Sequence, residues 1–325
     1  TTEAQAYAQW KWRLRENLVL NTGLHAFHYG FTSKTSLEPR LGMKWFFKED
    51  QALSLGLSLH SRAENVLVYQ QRGANNALIN RNLDLTKAAH IVLGYDRNLG
   101  PNTRIKVETY YQHLYNVPIS GTGSGGFSAL NAQNVFDFLE LENPALFNEG
   151  TGRNYGLELT LERFLNKGFY YLSTLSLYQS EYSLDGKNYF NTLYNGNYIL
   201  NLLGGKDFKM GSNGNNTFSI NARATFSGGQ RYSNPNQALS RIVEDFVPSS
   251  TPFTERVTGY MRIDLGVRYT WNKRKSTHSI SLDVQNVTNR LNQTRPDQEF
   301  ENGQAFIQTQ TQAGLIPILK YTISF

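Results

Sequence analysis

Read from its C-terminus, the chain alternates apolar and polar residues one by one. Over residues 315–325 one set holds Leu315, Pro317, Leu319, Tyr321, Ile323 and Phe325. The other holds Ile316, Ile318, Lys320, Thr322 and Ser324. Successive side chains of a strand point to opposite faces, so this spacing predicts a strand with one apolar and one mostly polar side. The same period recurs upstream. Ile263, Leu265, Val267, Tyr269 and Trp271 alternate with Arg262, Asp264, Gly266, Arg268 and Thr270. Leu53, Leu55, Leu57 and Leu59 alternate with Ser54, Gly56, Ser58 and His60. Residues 41–47, 155–161, 218–226 and 280–284 repeat it, whereas 18–30 and 169–181 are strand-like with less clean faces. No long segment sets apolar residues three and four apart, as a helix requires. The pattern predicts an all-β chain of about thirteen strands.

Alternation alone does not separate a soluble sandwich from a membrane barrel, which turns its apolar face to lipid and its polar face inward. Three further features favour the barrel. Short turns near residues 15–17, 47–50, 97–102, 165–167, 207–216 and 272–277 alternate with long connections near 62–86, 117–153, 182–197, 228–258 and 288–312. One shorter connection, near 30–36, occupies a long slot. Up-and-down membrane barrels show this parity, with short periplasmic turns and long extracellular loops. Trp10, Trp12, Trp45, Phe47, Phe164, Phe169, Tyr170, Phe208, Phe218, Tyr269, Trp271, Tyr321 and Phe325 gather at the short-turn end, as an interfacial aromatic girdle would. Strand-like segments run to roughly 10–15 residues, long enough to cross a bilayer at a tilt. The fold class is therefore a transmembrane antiparallel up-and-down β-barrel. An odd strand count leaves edges open, and a start at Thr1 with no initiating Met or signal peptide leads to the expectation of further strands upstream.

Composition agrees. Tyr and Phe stand at 19 each, Met at 3, and mean hydropathy at −0.48, low enough to hide a barrel whose lipid face occupies alternate positions. Net charge is +6, but Lys and Arg are scattered singly, a pattern that lines water or meets headgroups and does not build a nucleic-acid face. The absence of cysteine excludes disulfides, zinc–thiolate sites and cysteine nucleophiles.

The terminal residues 318–325 (ILKYTISF) resemble the C-terminal signal of outer-membrane barrels, in which Leu319, Tyr321, Ile323 and Phe325 imply recognition by the barrel-assembly machinery. Residues 148–171 (NEGTGRNYGLELTLERFLNKGFYY), 195–208 (NGNYILNLLGGKDF) and 283–289 (DVQNVTN) are similar to TonB-dependent receptors of Bacteroidetes. The resemblance covers essentially the whole chain. It implies that residues 1–325 form a single barrel segment, roughly the last thirteen strands of a 22-stranded barrel. It further implies an N-terminal plug, a TonB-contacting segment and early strands outside this sequence, a location in the Gram-negative outer membrane, contact with its lipids, and in some systems a surface lipoprotein over the loops.

Catalytic chemistry finds little support. Residues 121–126 (GTGSGG) have glycines but lie in a long loop with no following helix, and no Gly-x-Ser-x-Gly or His-Glu-x-x-His occurs. His25, His28, His60, His90, His113 and His278 read as separate solvated or lumen-facing residues, with no metal set and no cofactor motif. Glu108, Glu158, Glu162, Asp264 and Asp283 are expected to pair with Arg104, Arg223, Arg262 and Arg268 across neighbouring strands. Binding belongs to the long loops, where Tyr69, Arg72, Phe127, Tyr189, Tyr194, Arg231 and Tyr232, with Gln70, Phe136, Phe138 and Phe253, mix aromatic and hydrogen-bonding groups. The reading is a non-enzymatic importer of a siderophore, peptide or glycan. The alternative is a passive channel or a structural barrel of a secretion or surface complex.

Overall fold

The computed structural model describes residues 2–73, 75–121, 126–141, 144–249 and 251–325. Thirteen strands follow one antiparallel path in chain order: β1 (Glu3–Arg15), β2 (Leu18–Tyr29), β3 (Lys34–Lys48), β4 (Gln51–Arg62), β5 (Thr86–Asn98), β6 (Thr103–Ser120), β7 (Phe147–Asn166), β8 (Phe169–Ser183), β9 (Tyr198–Met210), β10 (Asn216–Ser227), β11 (Tyr260–Asn272), β12 (Thr277–Gln285) and β13 (Ile316–Ser324). Strand accounts for 64% of the chain and helix for 6%, so the all-β expectation holds. The sheet is open, with β1 and β13 at its edges.

Register sorts the side chains by chemistry. Phe208, Phe218, Tyr269, Ile280 and Tyr321 are successive partners across β9 to β13, and Trp45, Leu53, Tyr95 and Val107 across β3 to β6. Most of these residues are exposed on the outer face, as are Leu93 (51%) and Leu319 (72%) beside them. A soluble sheet would bury such a face, and lipid is the solvent that suits it. Aromatic rings pack along the short-turn end of that face, Tyr269 on Trp271 at 5.8 Å and Trp271 on His278 at 5.3 Å.

The lumen face differs in detail from the expected ladder of cross-strand pairs. Arg104 joins Asp96 across β5 and β6 instead of its register partner Glu162, with Lys44 reaching the same carboxylate at 3.4 Å. Lys106–Glu108 (2.6 Å) and Arg262–Asp264 (2.7 Å) pair along one strand, because residues two apart share a face. The histidines are also less separate than expected. His60 and His90 meet with ring centroids 4.9 Å apart, since Ser58 is the partner of His90 and the two rings share the inner face.

Strand lengths spread more widely than the expected range. β6 and β7 reach 18 and 20 residues and carry the wall beyond the bilayer, while β12 and β13 have 9 each. The blurred faces of β2 and β8 also have a cause. At their long-loop ends Phe27, Tyr29 and Tyr182 point inward and are buried, because folded loops lie against them.

Those loops are not featureless. Among the described residues they hold three short α-helices, α1 (Val66–Tyr69), α2 (Phe136–Leu139) and α3 (Gln237–Val243). The long connection after β12 forms a β-hairpin of Gln293–Glu301 and Gln304–Thr311. Its turn is Asn302-Gly303, both with positive φ (52° and 74°), the geometry an Asn-Gly hairpin requires. Of the glycine-rich stretch at 121–126, residues 122–125 lie outside the described residues, as does Thr1.

Candidate ligand vestibule

The long-loop end is built on two apolar clusters. In the larger, Phe27, Tyr29, Val68, Tyr69, Leu83, Leu85, Val117, Ala129, Phe138 and Leu146 draw loops 63–85 and 121–146 together over the rim. The polar hub of that contact is Asn80, 1% exposed, which donates to Gln71 Oε1 (2.7 Å) and the Pro144 carbonyl (2.8 Å) and accepts from the Leu146 N–H (2.9 Å). In the smaller, Ile119, Tyr182 and Leu184 hold Phe190 and Phe253.

Arg231 performs the same task between loops 184–197 and 228–259. It donates to the carbonyls of Asn195 (2.8 Å), Phe253 (3.2 Å) and Thr254 (3.3 Å) and to Asn197 Oδ1 (3.0 Å). Burial, and then the charge of Arg256, lower its affinity for its proton, yet an arginine stays charged across any physiological pH. Asn195, fully buried, in turn donates to Gln179 (2.9 Å) and Asn191 (2.7 Å).

Between these loops and the 293–311 hairpin lies a cavity of about 610 Å³. Phe127, Leu193, Tyr232 and Phe253 supply apolar and aromatic wall, Gln298 and Gln310 supply amides, and Asp137, Glu140, Asp297 and Glu299 supply carboxylates. The hairpin wall is itself braced. The Gln237 side chain of α3 donates to the Ala305 carbonyl (2.5 Å) and accepts from its N–H (3.2 Å), in the manner of a neighbouring strand.

Below the cap, the lumen wall of β1–β7 carries a hydrogen-bonded polar chain. Glu38, 2% exposed, accepts from His25 (2.9 Å), Arg40 (3.3 Å) and the Ser61 N–H (3.0 Å). Arg40 approaches His60 (3.5 Å), and beyond His90 the chain continues through Gln112 to Asn154 at 2.5 Å per link. No third ligand joins the histidine pair to make a metal set among the described residues.

A family model described as TonB dependent receptor-like, beta-barrel matches residues 1–287. The chain belongs to that family. The receptor barrel is also similar in fold to solved outer-membrane proteins. Against the ferric preacinetobactin receptor BauA of Acinetobacter baumannii it shows 13% identity and a TM-score of 0.68, covering 99% of this chain and 43% of that one. Against the outer membrane transporter YddB of Escherichia coli the values are 13%, 0.66, 98% and 45%. Against the ferric-catecholate import receptor Fiu of E. coli they are 12%, 0.66, 98% and 44%. The chain thus spans less than half the length of these receptors. No curated protein sequence matches it.

The receptor fold brings together some of the loop residues singled out from sequence and disperses others. Phe127, Arg231 and Tyr232, with Phe253, line the vestibule. Tyr69 does not line the cavity. It is fully buried against Tyr29 (5.3 Å), its hydroxyl accepts the Glu64 N–H (2.9 Å), and burial pushes that hydroxyl up to about 12. Arg72 closes its own loop by donating to the Asn76 carbonyl (2.7 Å). Tyr189 lies under the Arg153 guanidinium at 4.1 Å, and Tyr194 donates to the Ala132 carbonyl (3.1 Å). The vestibule residues of α2 and the hairpin were missed. Asn302-Gly303 was the signal that pointed to the hairpin; nothing local points to Asp137 or Glu140. At the other end Leu319, Tyr321, Ile323 and Phe325 face outward, with the Tyr321 hydroxyl 2.8 Å from His278 Nδ1.

Proposed function

We propose that the chain is the C-terminal part of the barrel of a TonB-dependent importer of Bacteroidetes type. In this reading a nutrient ligand settles in the loop vestibule before passing down the lumen. The observation that carries it is the vestibule itself: a braced cavity with aromatic and hydrogen-bonding walls, set directly above a polar lumen. Loops left as loose tethers would offer neither walls nor orientation. Phe127, Tyr232 and Phe253 are assigned to ligand contact, Tyr189 and Tyr194 to the rim, and Arg231 to holding the wall in place. The Glu38–His25–Arg40 chain supports a plug in the lumen, supplied with the TonB-contacting segment by a preceding domain. The outward row of Leu319, Tyr321, Ile323 and Phe325 supports recognition by the barrel-assembly machinery, and the loop surface suits a lipoprotein cap. Siderophores, peptides and glycans are the ligand classes the mixed wall admits.

The test is growth on candidate nutrients after deletion of the whole gene, with uptake measured with and without a protonophore. An importer predicts loss of uptake on deletion and loss of uptake when inner-membrane energy is dissipated. Uptake that continues unchanged under the protonophore identifies a passive channel and overturns the reading.

A further inference from the structure

On the lipid face of β7–β10 the row of leucines and aromatics is interrupted. Gly204 is the partner of Ala222 across β9 and β10, while Ser173 of β8 and Ala224 of β10 flank Leu202 one step along the same face, and these small residues leave a groove of about 570 Å³ walled by Phe169, Tyr171, Phe208 and Ile220. One cation, Lys206, lines the end of this groove nearest the short turns, and a second, Arg163, packs against its wall residue Phe169. Lys206, the register partner of Phe169, donates to the Lys167 carbonyl of the β7–β8 turn (3.1 Å), which fixes its ammonium at the membrane–water boundary. Arg163 lies on the other side of the same ring, its guanidinium 5.8 Å from the Phe169 centroid.

Both cations lack a counter-charge. Their sequence neighbours Glu162 and Asp207 point into the lumen by alternation, and no carboxylate pairs with either among the described residues. Arg163 Nε is covered and has no hydrogen-bond partner among the described residues, a cost that a bound anionic oxygen would remove. A second hollow on the lipid face, about 450 Å³ between Met43, Trp45, Leu55, Leu93 and Val107, has no charged residue in its wall. Both hollows are apolar troughs, and the first alone has a cation at headgroup depth.

We propose that this groove binds an anionic glycerophospholipid of the periplasmic leaflet. The acyl chain lies over Gly204 and Ala222, and the phosphate lies between Arg163 and Lys206. Long cationic side chains reach the interface while their stems stay in the apolar layer, so neither charge has to enter hydrocarbon.

The test is native mass spectrometry of the protein extracted in mild detergent. It is titrated with phosphatidylglycerol, and separately with phosphatidylcholine and lipid A of matched chain length. Each basic residue near an anionic surface contributes about five-fold, so Arg163→Gln with Lys206→Gln weakens phosphatidylglycerol binding ~25-fold, and Lys206→Gln alone about five-fold. Ser173→Leu, which fills the trough with a lipid-compatible side chain, weakens it with the cations intact. Leu55→Phe, in the uncharged hollow, leaves it unchanged. Heat-modifiable migration on gels verifies that each variant is folded; where the double variant does not fold, the Lys206 single variant decides. Equal retention of phosphatidylcholine, equal competition by lipid A, or unchanged binding by the charge variants would overturn the proposal.

Discussion

Arg231 shows what a single buried charge does for this fold. Its guanidinium satisfies three backbone carbonyls and Asn197 at once, so truncation strands acceptors, the buried Asn195 carbonyl above all. Arg231→Met is expected to loosen loops 184–197 and 228–259 by about 1–3 kcal/mol. Hydrogen exchange should show the loss at the Val257 amide, which is bonded to the Gln230 carbonyl, with strand amides unaffected. Asp185 allows a prediction in pH. Its carboxylate accepts the N–H groups of Asn188 and Lys187 (2.8 Å each) and is held well below the usual range by them. A depressed folded-state value means that the contribution is complete above the ordinary Asp value and lost as pH falls from there toward the depressed one. Protection of the Lys187 and Asn188 amides should therefore fall on acidification below about pH 4. In Asp185→Asn it should be low already at neutral pH and flat with pH. Gly205 is a close approach: a Cβ there would lie 2.6 Å from the Tyr170 hydroxyl, so Gly205→Ala is expected to turn that ring aside, visible as a shifted tyrosine signal.

At the scale of elements, the strands were legible and the loops only partly so. Period two is a property of adjacent residues, so β11 and β13 could be drawn from residues 262–271 and 315–325 without knowing what lies beside them. The less regular β2 was legible as a strand but not in its faces, because Phe27 and Tyr29 answer to Tyr69 and Leu83 in a distant loop. The hairpin after β12 lies between these cases. Its Asn302-Gly303 turn is a local signal, whereas its bracing by Gln237 spans 68 residues. Replacing Gly303, whose φ is 74°, with valine should open the turn. Limited proteolysis should then cut within residues 301–304, while the barrel strands stay intact.

For the whole molecule the deciding quantity is which solvent each face meets. Leu93 points to lipid and its neighbour Val92 to the lumen, as their partners Leu55 and Gly56 require. Leu93→Arg is expected to cost about 2–4 kcal/mol near the bilayer midplane, and Val92→Arg far less. Urea unfolding from lipid vesicles measures both. Equal cost at the two positions would contradict the sidedness of the sheet.

Alternation, strand reach and the short–long rhythm of the connections were fixed by the sequence alone, because each depends on residues near one another and on the single contrast between oil and water. They determined an antiparallel membrane barrel and, in the cleanly alternating strands, the direction each side chain points. Which loop residues line the cavity was decided only by tertiary structure. Tyr69 and Tyr232 are alike in type and setting along the chain, yet one is fully buried in the loop core and the other lines the vestibule. Contacts such as Asn80 to Leu146, 66 positions apart, make that choice, and no local pattern encodes them.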